Sequence, residues 1–296
     1  MDISGHTRLL GFFADPAEHS QSPAMYQACL RELELDYCYL AFRIPEGEIG
    51  RAVEALRVLN MRGANISMPH KQKVIPYLDR LDETARLCGA VNTIVQEDGI
   101  LTGYNTDLAG AGKALREMDC TAGMGSKRGQ AVLLGLGGAG QAVLAALCAL
   151  EEPAISVFVR EPERASYQVF LDRLHRHQEE QGMHRSAIRL LSLWDTKLLK
   201  KELHASHLLV NSTSVGMGER AGQSLIPDPS YLQPELAVMD IIYAPRETEL
   251  LRQARQAGCR AYKNGLDMLL YQGAENFQLF TGCAMPIQAA RQVLDK

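Results

Sequence analysis

The chain of 296 residues carries a net charge of −4, with 46% hydrophobic and 22% charged residues, which excludes disordered, collagen-like and low-complexity classes. Its mildly acidic balance argues against nucleic acid as a partner, because neutralising phosphates takes a basic stripe. The length suits two domains of ordinary size better than one core. The longest apolar runs, such as Ala142 to Leu150, fall far short of a membrane span. The start, Met1-Asp2-Ile3-Ser4-Gly5, lacks the basic and apolar regions of a signal peptide. Seven cysteines (Cys29, Cys38, Cys88, Cys120, Cys148, Cys259, Cys283) never form C-x-x-C, a usage that suits reduced thiols in a cytosol. The expectation is a soluble, cytoplasmic, two-domain protein that binds neither nucleic acid nor membrane.

In chain order, Leu9-Leu10-Gly11-Phe12-Phe13 reads as a short buried strand. Ser22 before Pro23 predicts a helix start, with the serine as cap. Tyr37 to Phe42 is rich in strand formers, and Ile49, Ala52, Val53, Leu56 and Leu59 recur at helical spacing. A strand ending near Ile66 runs into Ser67-Met68-Pro69-His70-Lys71, with helical segments to about Leu87. Ala90 to Val95 and Ile100 to Tyr104 read as strands joined by a tight turn at Glu97-Asp98-Gly99. The polar, glycine-rich segment Thr121 to Gly129 separates this region from a new pattern. That pattern is a strand (Ala131 to Leu134), a glycine turn, a helix (Ala139 to Leu150), a strand (Ile155 to Val159) and a helix. Such a βαβ unit implies a right-handed crossover and a parallel sheet. The polar stretch Asp172 to Arg185, with His175, His177 and His184, reads as an exposed helix end and loop, because no Cys or carboxylate spacing supports a metal. Ile188 to Leu191, His207 to Asn211 and Ala237 to Ile241 add strands, and the tail from about Asp267 is helical.

Gly135-Leu136-Gly137-Gly138-Ala139-Gly140 follows an apolar strand and opens a helix, the setting that the dinucleotide fingerprint requires. The first glycine permits the tight turn, the second lets backbone amides approach a pyrophosphate, and the third allows close strand–helix packing. The helix N-terminus adds partial positive charge. Methyltransferases use a similar turn for a nucleoside, and a loop that merely needs small residues is the plainer account; the surrounding βαβ unit favours nucleotide binding. Arg160, Glu161 and Arg164 end the second strand. There an acidic side chain accepts from a ribose 2′-hydroxyl, whereas arginines accommodate a 2′-phosphate. Glu161 would repel a phosphate and the two arginines would attract one; the pattern leans to NAD, with NADP as the second choice.

Asn65 to Lys71 places a lysine just past a strand end and a proline-fixed turn, and Asp107 closes Gly103-Tyr104-Asn105-Thr106-Asp107 at another strand end. Such loops are where open α/β sheets keep ligand groups. Oxidising a secondary alcohol needs a base within hydrogen-bond reach of its hydroxyl. A lysine serves where burial weakens its hold on the proton; a neighbouring carboxylate fixes its position but strengthens that hold, so the two effects compete. From spacing alone, a Lys71 that closes a loop or lies in solvent is the simpler account.

Seven motifs taken together overturn that account. They are His19-Ser20-Gln21-Ser22-Pro23, Asn65 to Lys71, Ala90-Val91-Asn92-Thr93, Gly103 to Asp107, the glycine turn, Asn211 to Met217 and Gly265 to Ala274. In order and spacing, across nearly the whole chain, they resemble the shikimate dehydrogenase family. The Ser-Met-Pro-x-Lys-Gln variant is closer to its quinate/shikimate dehydrogenase branch. The resemblance implies an α/β protein with an N-terminal α/β substrate domain (1–107 plus 267–296) and a Rossmann-like, doubly wound parallel-sheet nucleotide domain (108–266). C-terminal helices would return to the first domain, and the active site would lie in the cleft between the two.

By that resemblance, Ser20 and Ser22 would hold the substrate carboxylate, since two hydroxyls bind an anion without burying a second full charge. Ser67, Asn92, Asp107 and Gln272 would hold ring hydroxyls. Lys71 and Asp107 would form the catalytic pair, with Lys71 taking the proton in alcohol oxidation and Asp107 orienting it. Tyr243 would sit near the carboxylate or the nicotinamide. Gly265 would bring a backbone carbonyl close to the nicotinamide amide, and Met268 would pack beside the ring. Ser212 would join Gly135, Gly137, Gly138, Ala139 and Gly140 around the cofactor. Two departures stand out: the family's usual Asn-Arg-Thr is Val159-Arg160-Glu161 here, which weakens an NADP assignment, and His70 occupies a position where the family varies. The segment 172–185 is also longer than the family norm.

The expected function is an NAD(P)-dependent dehydrogenase that interconverts a cyclic hydroxy acid, shikimate, quinate or a close relative, with its 3-dehydro form. It would need no metal and would work as a monomer or homodimer. The rivals are a dehydrogenase of a related amino- or polyhydroxy-cyclohexane acid, and a ligand sensor without turnover. A sensor has no need of a proton acceptor, so the presence of both Lys71 and Asp107 counts against it.

Overall fold

A computed structural model of the chain describes residues 3–122 and 129–295, so most of the glycine-rich separator lies outside the described residues. The chain divides into two compact units, Met1–Gly110 with Leu270–Lys296, and Ala111–Leu269.

The first unit begins with β1 (Arg8–Ala14), α1 (Ser22–Glu32), β2 (Tyr37–Arg43), α2 (Ile49–Val58) and β3 (Gly63–Ile66). It continues with β4 (Arg80–Leu81), α3 (Glu83–Cys88), β5 (Thr93–Glu97) and β6 (Ile100–Tyr104), and α4 (Asp107–Ala122) leads out of it. The strand order is β2-β1-β3-β5-β6-β4. β1 pairs in parallel with β2 and β3, while β5 runs antiparallel to both β3 and β6. Asp98 (φ 49°) and Gly99 (φ 79°) turn β5 into β6, and two positive φ values are what a two-residue type I′ hairpin demands. Ile49, Val53 and Leu56 of α2 pack with Phe13, Ile66 and Ile94 in the core. Leu59, expected on that stripe, lies past the helix end and is 63% exposed.

One local expectation holds only in part and another fails. Helical segments do follow Ile66 and the last ends at Cys88, but they are short and interrupted by a strand. A single 3-10 turn, Ile75–Tyr77, contains Pro76, and the chain then extends into β4. Helix resumes only where Asp82 accepts from the amides of Ala85 (2.8 Å) and Thr84 (3.2 Å), a cap that stabilises a helix by about 1 kcal/mol. Ser22 is not the cap of α1. It is the helix's first residue after Gln21, and its hydroxyl is bound to the Tyr39 phenol instead.

The second unit carries β7 (Gln130–Leu134), α5 (Gly138–Ala149), β8 (Ala154–Val159), α6 (Ala165–Glu180) and β9 (Ala187–Ser192). It continues with α7 (Thr196–His204), β10 (Leu208–Asn211), β11 (Ala237–Asp240), α8 (Glu249–Gln256) and β12 (Ala261–Lys263). All six strands are parallel, in the order β12-β11-β10-β7-β8-β9. This is a doubly wound sheet whose direction of growth reverses between β7 and β10. Residues 131–134 and 208–211 are wholly buried, as strands covered on both faces must be. The stretch from Asp172 is helical as far as Glu180. α9 (Leu266–Thr281) and α10 (Ile287–Leu294) close the chain, and from Leu270 it belongs to the first unit again. Among the described residues no helix is long and apolar enough to cross a membrane, and no group of three His, Cys, Asp or Glu side chains could hold a metal.

Candidate active site

Strand direction decides where polar side chains gather in the first unit. β1, β3 and β6 point the same way, so their C-terminal ends share one edge, and antiparallel β5 begins at that edge. Ser20 and Ser22 follow β1, Ser67 and Lys71 follow β3, Asn92 precedes β5, and Asp107 follows β6. The turn that carries Lys71 is tied down through its backbone. Ser67 N donates to Phe13 O (2.9 Å), His70 N to Ser67 O (2.9 Å) and Val91 N to Lys71 O (2.8 Å). The buried His70 ring contacts Ile44 O through Nε2 at 2.8 Å.

At this edge Lys71 Nζ donates to Asp107 Oδ2 at 2.5 Å, and the side chains are 19% and 8% exposed. Asn92 Nδ2 donates to the other oxygen, Oδ1, at 2.8 Å, and lies 3.5 Å from Gln272 Oε1. Asn92 Oδ1 in turn accepts from the Thr106 amide at 2.9 Å. Each partner of the carboxylate is therefore itself held, which fixes Nζ to one position. An ammonium has three donors and Asp107 takes one, so Lys71 can present another to a ligand oxygen.

Sequence reasoning missed the layer beneath. Asn276 Oδ1 accepts from Thr93 Oγ1 (2.5 Å) and Thr106 Oγ1 (2.8 Å), and its Nδ2 donates to Gln272 Oε1 (2.9 Å). Asn65 Nδ2 donates to Thr93 Oγ1 (3.1 Å), and Tyr39 OH donates to Asn65 Oδ1 (2.7 Å) while accepting from Ser22. Asn92 Nδ2 also donates to Thr106 Oγ1 at 2.9 Å, so the hydrogen-bonded chain runs unbroken from Ser22 through Tyr39, Asn65, Thr93, Asn276, Thr106, Asn92 and Asp107 to Lys71. Apart from Lys71 its members are buried, and buried amides and hydroxyls persist only where each finds a partner. Ser20 touches this chain through its Oγ, which accepts from Ser22 N at 3.3 Å. No hydrogen bond found among the described residues joins the Ser67 side chain to it.

In the second unit the parallel strands all end on one edge. Gly135 to Gly140 follow β7, Arg160 to Arg164 follow β8, Ser212 follows β10, Tyr243 follows β11, and Gly265 to Met268 follow β12. Tyr243, grouped above with the substrate residues, thus belongs to this unit, where burial pushes its phenol up. Gly135 has φ +88°, and a Cβ on Gly140 would stand 2.7 Å from Ser212 Oγ and 2.9 Å from Gly135 O. Above Gly137 nothing lies within 4 Å of an added Cβ, and α5 starts without a side-chain cap. The first amides of α5 therefore face open space, a cradle that suits a pyrophosphate. Ser212 Oγ is bound to Leu134 O (2.8 Å) and Gly135 O (3.1 Å); it shapes the turn from below. The Gly265 carbonyl accepts from Leu269 N at 2.9 Å, and Met268 is 7% exposed. Arg160, Glu161 and Arg164 are exposed, and the Arg164 guanidinium lies 5.7 Å from the centre of the Tyr167 ring.

Asp240, at the end of β11, is fully buried. It accepts from Thr248 Oγ1 (2.7 Å), Asn211 Nδ2 (3.0 Å) and Ile242 N (3.1 Å), and so joins the loops after β10 and β11. Burial outweighs these bonds and pushes its carboxyl from 3.8 up to about 6. The folded protein therefore holds this proton more tightly than the unfolded chain does. The resulting stability is fully present below pH 3.8 and is lost as pH rises through about 6, a total of about 3 kcal/mol. Urea unfolding at pH 4, 5, 6 and 7 should show wild type losing most of that relative to Asp240→Asn; a difference constant with pH would refute the assignment.

Residues 12–94 match the family model of the shikimate dehydrogenase substrate binding domain, and residues 265–294 that of the shikimate 5'-dehydrogenase C-terminal domain. A shikimate dehydrogenase (NADP(+)) of Streptococcus pyogenes is 41% identical over 295 residues, covering 99% of this chain and 98% of that protein. The crystal structure of shikimate 5-dehydrogenase from Listeria monocytogenes, in complex with shikimate and NAD, is 37% identical with a TM-score of 0.83, over 99% of this chain and 98% of that one. Quinate dehydrogenase from Corynebacterium glutamicum, in complex with NAD, is 31% identical with a TM-score of 0.82, over 97% and 98%.

Proposed function

Because the chain belongs to the shikimate dehydrogenase family, we propose that it interconverts shikimate, or its relative quinate, with the 3-dehydro acid by hydride exchange with NAD or NADP. The observation that carries the reading is the Lys71–Asp107 contact, held by Asn92 and set on a buried polar cluster at a sheet edge. In oxidation Lys71 Nζ takes the proton of the reacting hydroxyl; in reduction it gives it back. Asp107 keeps Nζ in place and presents an oxygen to the reacting or adjacent hydroxyl. Asn92, Gln272 and Ser67 bind ring hydroxyls, and Ser20 and Ser22 bind the carboxylate. The cradle at Gly135 to Gly140 holds the pyrophosphate, and a bound nicotinamide supplies the hydride acceptor or donor. Tyr243, Gly265 and Met268 face its ring end, while Arg160, Glu161 and Arg164 read its ribose.

In this reading the enzyme is a monomer or homodimer of the cytoplasm, and neither nucleic acid nor membrane takes part. The Streptococcus pyogenes relative is named for NADP(+) and the Listeria monocytogenes structure holds NAD. Glu161, which repels a 2′-phosphate, favours NAD here. Absorbance at the reduced-nicotinamide band, with NAD and NADP each tried against shikimate and quinate, tests the whole reading. Reduction with at least one pair is expected, NAD giving the higher kcat/KM. No reduction with any of the four would leave a ligand-binding protein without turnover.

A further inference from the structure

Trp194, the chain's single tryptophan, is 72% exposed on a backbone held by four hydrogen bonds. Trp194 N donates to Ser192 Oγ (3.3 Å). Asp195 N donates to Ser192 O (3.1 Å), Thr196 N to Trp194 O (3.1 Å) and Leu193 N to Val159 O (2.8 Å). Its neighbours Leu191 and Leu193 pack against the core of the unit, while Trp194, in the turn that follows β9, stays in solvent. A large aromatic surface left in water on a fixed backbone is a contact waiting for a partner, because little conformational freedom is lost when something stacks on it.

Its place on the sheet says which partner. β9 is an edge strand, and the register pairs Val159 with Ser192. Leu193 N still bonds Val159 O, so the turn that carries Trp194 leaves β9 next to the loop that Arg160 and Glu161 open after β8, and β8 neighbours β7 with its glycine cradle. Along the edge the order is cradle, ribose-reading pair, indole. A dinucleotide laid outward from the cradle presents pyrophosphate, ribose and base in that same order. We propose that the Trp194 indole is the stacking platform for the adenine of the bound dinucleotide. The proposal rests on the dinucleotide reading above. Adenine is common to NAD and NADP, so the platform serves both alike, whereas Glu161 and its flanking arginines distinguish them.

ADP-ribose, which carries the adenine half without nicotinamide, is the probe. Titrating it into the full-length protein should quench the single-tryptophan emission. By calorimetry, Trp194→Ala should raise Kd for ADP-ribose, NAD and NADP by a common factor of about ten, equivalent to about 1.4 kcal/mol. Trp194→Phe keeps an aromatic face and should recover most of that loss, and KM for the acid should not follow the change. Unchanged ADP-ribose affinity in a Trp194→Ala protein that melts like wild type would overturn the platform and leave the enzyme reading standing. A wild-type protein that binds none of ADP-ribose, NAD or NADP would overturn the dinucleotide reading and the platform with it.

Discussion

Lys71→Ala is expected to lower kcat for oxidation of the acid by about 10³-fold, the scale of a lost general acid–base group, while KM for the acid moves far less. The carboxylate, the hydroxyl-binding amides and the serines all remain, so the acid still binds but its hydroxyl proton has no acceptor. Lys71→Arg separates this role from mere charge pairing. A guanidinium can keep a contact with Asp107, but it does not give up its proton, so this variant should be nearly as slow as the alanine one. Steady-state kinetics on both variants, with acid affinity from calorimetry, make the check. If Lys71→Arg turned over like wild type, Nζ would be a binding charge and not the proton carrier.

The second large effect is on stability. A Cβ on Gly265 would sit 1.9 Å from Ile241 O and 2.4 Å from Ile241 C, both backbone atoms. Gly265 N also donates to Ile242 O at 3.0 Å, which draws the two segments together just before α9. No side-chain rotation can relieve that overlap. Gly265→Ala should therefore cost about 3 kcal/mol or more, at the upper end of overpacking effects. Gly5→Ala, where nothing lies within 4 Å of the added atom, should stay within about 0.5 kcal/mol. Urea midpoints for the two variants provide the comparison; a Gly265→Ala midpoint equal to wild type would mean that the β11 end yields easily.

How far these features could be read in the sequence depends on how local their causes are. The glycine turn, the hairpin at Asp98-Gly99 and the apolar strands announce themselves within a few residues, because a positive φ or a fully covered strand leaves a mark where it occurs. The expected cap at Ser22 failed because a hydroxyl that could close its own helix found Tyr39, a partner on β2. Asn276 escaped notice for the same reason. It bonds Thr93 and Thr106 across 183 and 170 residues of chain, and spacing cannot reveal a contact that exists only after the tail returns. Its pairing with Gln272, four residues earlier on α9, was the one local sign. α7 and α8 did carry cap signals, with Asp195 accepting from Leu198 N and Thr248 from Leu251 N. β12, three residues long, is too short for any periodicity to show.

The return of the tail has a consequence in time. The first unit is built from residues at both ends of its span, with all of Ala111–Leu269 between them. During synthesis, Thr93 and Thr106 leave the ribosome long before Asn276, and at about 5–20 residues per second the wait is on the order of ten seconds or more. Through that interval Arg62 lacks the Phe280 carbonyl that it later binds at 2.8 Å, and Tyr26 lacks the Gly273 carbonyl at 3.1 Å. The first unit therefore cannot complete its contacts until the tail is made, although it is begun first. The second unit is contiguous in the chain, so on the function proposed above a nascent chain holds every residue of its cofactor site before it holds every residue of its substrate site.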